Sequence, residues 1–162
     1  MFCILFTSSS VCAQQKVNSK AYNTMLKALL KDNVPELSAA EAKQHQTEYV
    51  FLDSREKREY EVSHIKDAVW VGYNDFDIHR LKGISKDKQI VVYCSVGARS
   101  ENISNKLIAA GYTHIHNMYG GIFEWVNEGF PVYNMQEKPT DKVHAYSKIW
   151  GIWLKKGEKV YE

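Results

Sequence analysis

The chain has 162 residues, enough for one domain with its own hydrophobic core and no need of disulfide or metal staples. Its 21 basic and 19 acidic residues leave a formal net charge of +2, scattered without a basic stripe to follow a phosphate backbone, so nucleic acid is excluded as an expected partner. Of the three cysteines, two lie within the first twelve residues, and Cys94 is the one mid-chain thiol.

The opening segment, MFCILFTSSSVCAQQK, is a short apolar run followed by small polar residues and then by Val11, Cys12 and Ala13, the pattern that precedes a signal-peptidase cut. The expectation is an exported protein, in the bacterial periplasm, with residues 1–13 a signal peptide cleaved after Ala13. No Lys or Arg precedes the run, and a buried N-terminal strand is the alternative. The run is too short to span a bilayer as a helix. A lipid anchor on Cys12 is disfavoured by the bulky Val11 before it. Loss of Cys3 and Cys12 with the leader leaves Cys94 alone, so no internal disulfide forms. A lone thiol in an exported chain points to chemistry.

After the leader, residues 18–33 place Tyr22, Met25, Leu26, Leu29 and Leu30 at helical spacing, with Asn18 or Ser19 as cap and Pro35 as stop. Ser38 stands three residues before Glu41, a capping-box pattern that predicts a short second helix. Residues 49–52 and 90–94 are nearly continuous apolar runs, as in central parallel strands covered on both faces. AVWVGY (68–73) and HIHNMYG (114–120) read as shorter strands. Helical candidates lie between and after them, REKREYE, DFDIHRL, SENISNKLIAAG and GIFEWVNEG, so strands and helices alternate. The predicted fold class is α/β, a central mostly parallel sheet flanked by helices. Residues 134–142 form a polar hinge containing Pro139, and residues 143–162 read as a C-terminal β-hairpin turning at Lys156 and Gly157. Its Trp150, Trp153 and Tyr161 are expected to cap an apolar patch of the main domain, with a ligand-binding aromatic surface as the alternative.

Ligand sites of open α/β sheets lie beyond the carboxyl ends of the strands, and Cys94 stands where the strand IVVY ends and before a helix opens at Arg99 to Glu101. Residues 95–98 can curl backbone N–H groups around the sulfur, Gly97 permits a conformation closed to other residues, and Arg99 adds positive charge. Such a cradle favours the thiolate, the nucleophilic form. A small buried core cysteine is the bland reading. His79, His114, His116 and His144 are scattered without partners at ligand spacing, so neither a metal nor a cofactor is expected.

Three ordered blocks, LDSREKREYEVSHIKDAVWV, VVYCSVGARS and YGGIFEWVNEGFPV, resemble the rhodanese-like sulfurtransferase family over about residues 37–133. The resemblance implies a three-layer rhodanese-like domain at 37–133, preceded by an N-terminal helix region (14–36) and followed by a linker and hairpin extension (134–162). It makes Cys94 the residue that carries sulfane sulfur as a persulfide and Arg99 the closing arginine of its loop. Ser95, Val96, Gly97, Ala98 and Ser100 become the loop that binds substrate. Asp53, Arg55 and Glu59 match the first block, in which an acid and an arginine brace the site. His64 matches a position that holds local structure, against the tempting cysteine–histidine dyad. Ser63 and Asp67 stand where the family often has glycine.

The implied reaction moves sulfur from a small donor such as thiosulfate, or a persulfide, to a thiol or protein acceptor. Two rivals stay open. A phosphatase or arsenate reductase would use a similar cysteine-to-arginine loop, but with five intervening residues where this chain has four. A non-catalytic binding or sulfur-carrier module would use the aromatic C-terminal segment.

Overall fold

The computed structural model describes residues 16–162; the segment read as a leader, with Cys3 and Cys12, lies outside the described residues. Strands β1 (Glu36–Ser38), β2 (Val50–Asp53), β3 (Val69–Trp70), β4 (Gln89–Tyr93) and β5 (His114–Tyr119) form one sheet in the order β1-β5-β4-β2-β3, each pair parallel. A strand covered on both faces must be apolar on both. In β4, Ile90 and Val92 face one core while Val91 and Tyr93 face the other, all four fully buried.

Helices α1 (Lys20–Leu29), α2 (Ala39–Gln44) and α5 (Gly121–Asn127) cover the first face, the core around Trp125. Helix α4 (Ala98–Ala109) covers the second through Ile103 and Leu107, beside a single 3-10 turn at Ile78–Leu81. Helix α3 (Lys57–Val62) follows β2. The caps are those that the residues suggest: Ser19 accepts from the Tyr22 N–H, and Ser38 with Glu41 closes a reciprocal capping box. Among the described residues no helix is long and apolar enough to cross a membrane.

Three details depart from the pattern reading. Strand β1 has only three residues, too few for a periodicity signal, and exists because β5 pairs with it from Glu36↔Asn117 to Ser38↔Tyr119. DFDIHRL folds as one 3-10 turn capped by Asp77 rather than as a longer helix. The C-terminal extension is present, but its hairpin lies earlier than expected, β6 (Val132–Tyr133) running antiparallel to β7 (Pro139–Thr140). Residues 142–160 instead pair in parallel, β8 (Lys142–His144) with β9 (Glu158–Val160), because the segment between them holds helix α6 (Lys148–Gly151) and is long enough for a crossover. Trp153 stacks on Tyr22 at 5.2 Å between ring centroids, joining the extension to α1.

Where β5 hands over to α5, Gly120 and Gly121 both adopt positive φ, 83° and 57°. The start of α5 presses on the chain after β4: Ile122 N–H donates to Cys94 O at 2.9 Å and Phe123 N–H to Ser95 O at 3.1 Å. A Cβ on Gly121 would lie 2.5 Å from Cys94 O and 2.6 Å from Ser95 O. Gly121→Ala therefore adds backbone strain to a backbone clash and is expected to cost about 2–5 kcal/mol in urea unfolding. A change within about 0.5 kcal/mol would show that the two segments do not meet this closely.

Candidate active site

Parallel pairing of β2 with β4, Asp53 opposite Tyr93, brings the carboxyl ends of two central strands together, and Cys94 is the next residue. The thiol is buried, 1% exposed, yet it lines a cleft of about 120 Å³ with Leu29, Ser95, Val96, Ala98, Arg99, Tyr146 and Trp150. The bland reading of a cysteine among aliphatic side chains does not describe it.

Gly97 caps α4 at φ 123°, and its N–H donates to Cys94 Sγ at 3.1 Å. Carbonyls of the loop are held from outside it: Cys94 O and Ser95 O by α5, Gly97 O by Asn117 Nδ2 at 3.1 Å and by the Glu101 N–H. A trans peptide sets each N–H opposite the preceding C=O, so this anchoring turns the N–H groups of Ser95, Val96 and Ala98 away from those partners. Among the described residues these N–H groups, and that of Arg99, meet no protein acceptor. Ser100 Oγ stands 3.5 Å from Sγ, 2.7 Å from Asn117 Oδ1 and 3.0 Å from Gly97 O, a rotatable hydroxyl within reach of the sulfur. All the loop residues expected from the sequence, Ser95, Val96, Gly97, Ala98 and Ser100, are thus gathered at the thiol or its cleft.

Arg99 also borders the cleft, but its guanidinium is turned to a carboxylate of the protein itself. It forks onto Glu59, Nη1 to Oε2 at 2.7 Å and Nη2 to Oε1 at 2.8 Å, and Nη2 also donates to Ser95 Oγ at 2.9 Å. Ser95 Oγ in turn donates to Glu59 Oε1. Burial, the largest single influence, would raise the Glu59 carboxyl, but the hydrogen bonds and charge of Arg99, the charge of Arg55 and the Glu56 N–H together outweigh it and bring the group down to about 2. Burial likewise opposes the charge of Arg99, and the bonds to Glu59 with the nearby Cys94 sulfur outweigh it, holding the guanidinium firmly charged.

Asp53 and Arg55 pair behind the loop, fully buried, with Arg55 Nε on Asp53 Oδ1 at 2.9 Å and Nη2 on Oδ2 at 2.6 Å. Nη2 also donates to Ser63 O at 2.6 Å, which ties the end of α3 to β2. Neither residue is a cleft-lining residue, in keeping with a bracing role. His64 stacks on Tyr60 at 4.1 Å, with Nδ1 on Tyr60 O and Nε2 toward Glu137, so among the described residues no cysteine–histidine dyad forms. Asp67 takes φ 60°, which accounts for glycine suiting that position.

Residues that pattern reading did not single out complete the site. Asn117 is a polar residue inside a strand, the one available signal, and it orients Gly97 and Ser100. Leu29 and Tyr146 enter the cleft from elements distant in sequence, and Trp150, expected as a cap on the domain in preference to a ligand-binding surface, lines it as well.

A family model described as the rhodanese-like domain matches residues 36–128, more than half of the chain. The chain belongs to the rhodanese-like family. A curated relative, the tRNA uridine(34) hydroxylase of Buchnera aphidicola, is 29% identical over 121 residues, covering 63% of this chain and 37% of that protein. The chain thus spans little more than a third of that relative's length. The rhodanese-like domain from Anabaena superposes with a TM-score of 0.58 at 24% identity, over 64% of this chain and 82% of that one. A thiosulfate sulfurtransferase from Pseudomonas aeruginosa gives 0.59 at 22% identity, over 86% of this chain and 26% of that one. These two likenesses concern the fold alone. Leu29, Tyr146 and Trp150 lie outside the family match.

The Glu59 carboxyl is held lower in the folded protein than its ordinary value of 4.5, so its contribution is complete above pH 4.5 and is lost as pH falls toward about 2. Glu59→Gln is expected to lower stability by about 3–5 kcal/mol at neutral pH, because Arg99 is left buried without its partner. Its chemical-denaturation curves should also flatten over that acid window relative to the parent. Parallel pH dependence of the two proteins would contradict the assignment.

Proposed function

We propose that this rhodanese-like protein is a sulfurtransferase that carries sulfane sulfur as a persulfide on Cys94. The observation that supports it most is the sulfur itself: Gly97 N–H at 3.1 Å, Ser100 Oγ at 3.5 Å, and further loop amides without acceptors, all at one strand-to-helix junction. Backbone dipoles of this kind stabilise a thiolate and, equally, the terminal sulfur of a persulfide.

The reaction runs in two displacements. The Cys94 thiolate attacks the outer sulfur of a donor; a new S–S bond forms, the donor's own S–S bond breaks, and its electron pair leaves on the rest of the donor, a thiolate from a persulfide or sulfite from thiosulfate. An acceptor thiolate then attacks the outer sulfur on Cys94, and the electron pair of that S–S bond returns to Cys94. No oxidant is consumed in either step. The hydroxylation in the curated relative's name is said of a protein of which this chain spans little more than a third, and no step at Cys94 calls for it.

Oxyanion chemistry is disfavoured by Arg99, three of whose N–H groups are committed to Glu59 and Ser95 and whose charge Glu59 already compensates. Export is part of the proposal: with residues 1–13 removed, Cys94 is the sole thiol of the mature chain.

Treatment with a sulfane-sulfur donor is expected to add one sulfur atom to Cys94 in intact-protein and peptide mass spectra, and Cys94→Ser to abolish both the adduct and turnover. An unmodified thiol with every donor would contradict sulfur transfer. Separately, N-terminal sequencing of the protein made in its native host should begin at Gln14; an intact Met1 would contradict export.

A further inference from the structure

The cleft over Cys94 carries a statement about the donor, which rests on the sulfur-transfer reading above. Once the outer sulfur sits against the loop amides, the rest of the donor must occupy the remaining space. Leu29 from α1 and Tyr146 and Trp150 from the C-terminal extension wall that space, with Val96 and Ala98 below. The volume, about 120 Å³, is of the order that takes an aromatic ring or a short alkyl chain.

Charge is the discriminating quantity. Arg99 is the one cation among the residues lining the cleft, and Glu59 compensates it at two oxygens. The Tyr146 ring covers it from outside, 4.8 Å from the guanidinium carbon. A dianion such as thiosulfate would place its sulfonate against these apolar walls and lose hydration without gaining a counter-charge, a heavy cost. An uncharged apolar group would gain by the same burial.

Tyr146 looks built for this position. It holds φ 64°, a strained conformation for a residue with a large side chain, and its N–H donates to the buried His144 Nδ1 at 3.1 Å. Burial lowers His144 from its ordinary value, so its Nδ1 stays available as an acceptor. The ring lies over Arg99 at the cleft edge.

We infer that the donor is a hydropersulfide R–S–SH whose organic group R is small, uncharged and apolar and is seated between Leu29, Tyr146 and Trp150. In the balanced step, the Cys94 thiolate takes the outer sulfur of R–S–SH, the S–S bond breaks, and R–S⁻ leaves with the electron pair and takes up the proton.

The test uses the full chain and two donors of matched reactivity, benzyl hydropersulfide and 4-carboxybenzyl hydropersulfide, with thiosulfate as a third. Loading of Cys94 is followed by mass spectrometry to obtain kcat/KM for each. Benzyl hydropersulfide should exceed its carboxylated partner at least tenfold and exceed thiosulfate as well. Trp150→Ala should lower the benzyl value at least tenfold. Leu29→Lys, at a half-buried helix position and with its fold checked by circular dichroism, should narrow or reverse the benzyl preference by placing a cation in the cleft. Equal values for the two benzyl donors, an unchanged ratio in Leu29→Lys, or a preference for thiosulfate would overturn the inference. Loading by thiosulfate in those cases leaves sulfur transfer standing; loading by no donor overturns both.

Discussion

The site depends on the outward anchoring of three carbonyls. Cys94, Ser95 and Gly97 each give their C=O to a donor outside the loop, two at the start of α5 and one on β5. Because the peptide unit is planar and trans, fixing the oxygens also fixes the amide hydrogens on the opposite side. Four residues of backbone become an anion cradle without any side chain charged for the purpose. This explains why the loop tolerates the small, ordinary residues Ser95, Val96 and Ala98, and why the demand for special conformations falls on Gly97 inside the loop and Gly121 outside it.

Two buried ion pairs hold the segments around the loop together. Glu59 and Arg99 clamp α3 to the first turn of α4, and Ser95 Oγ is bound into the same network. Asp53 and Arg55 lock the end of β2 to the turn after α3 through Ser63 O. Buried pairs of this kind are costly to break one partner at a time, which makes them good positioning devices and poor catalysts. Above this rigid floor, α1 and the extension place an apolar mouth, coupled to each other by Tyr22 on Trp153. Floor and mouth come from different stretches of chain.

Much of this was legible in the residues themselves. The continuous apolar runs at 49–52 and 90–94 can only be buried on both faces, and the structure uses them as adjacent central strands. Ser19 and Ser38 mark helix starts because capping is local chemistry. What was not legible is what depends on distant partners. The three-residue β1 has no periodicity to detect, the parallel pairing of β8 with β9 mimics a hairpin in its alternation, and Asn117 looks like any polar residue in a strand. The wall made by Leu29, Tyr146 and Trp150 is assembled from segments more than a hundred residues apart and leaves no motif. The charge on Arg99 was read as part of the anion cradle, and only the geometry of Glu59 reveals where its hydrogen bonds go.

The claim on which the account turns is that the loop amides, and not a side-chain cation, receive the transferred sulfur. A high-resolution crystal structure of the protein with Cys94 persulfidated tests it most directly. The outer sulfur should lie within hydrogen-bond reach of at least two N–H groups from Ser95 to Arg99, with Cys94 O and Ser95 O still bonded to α5. An outer sulfur turned toward Trp150, with those amides bonded to water or their peptides flipped, would contradict it.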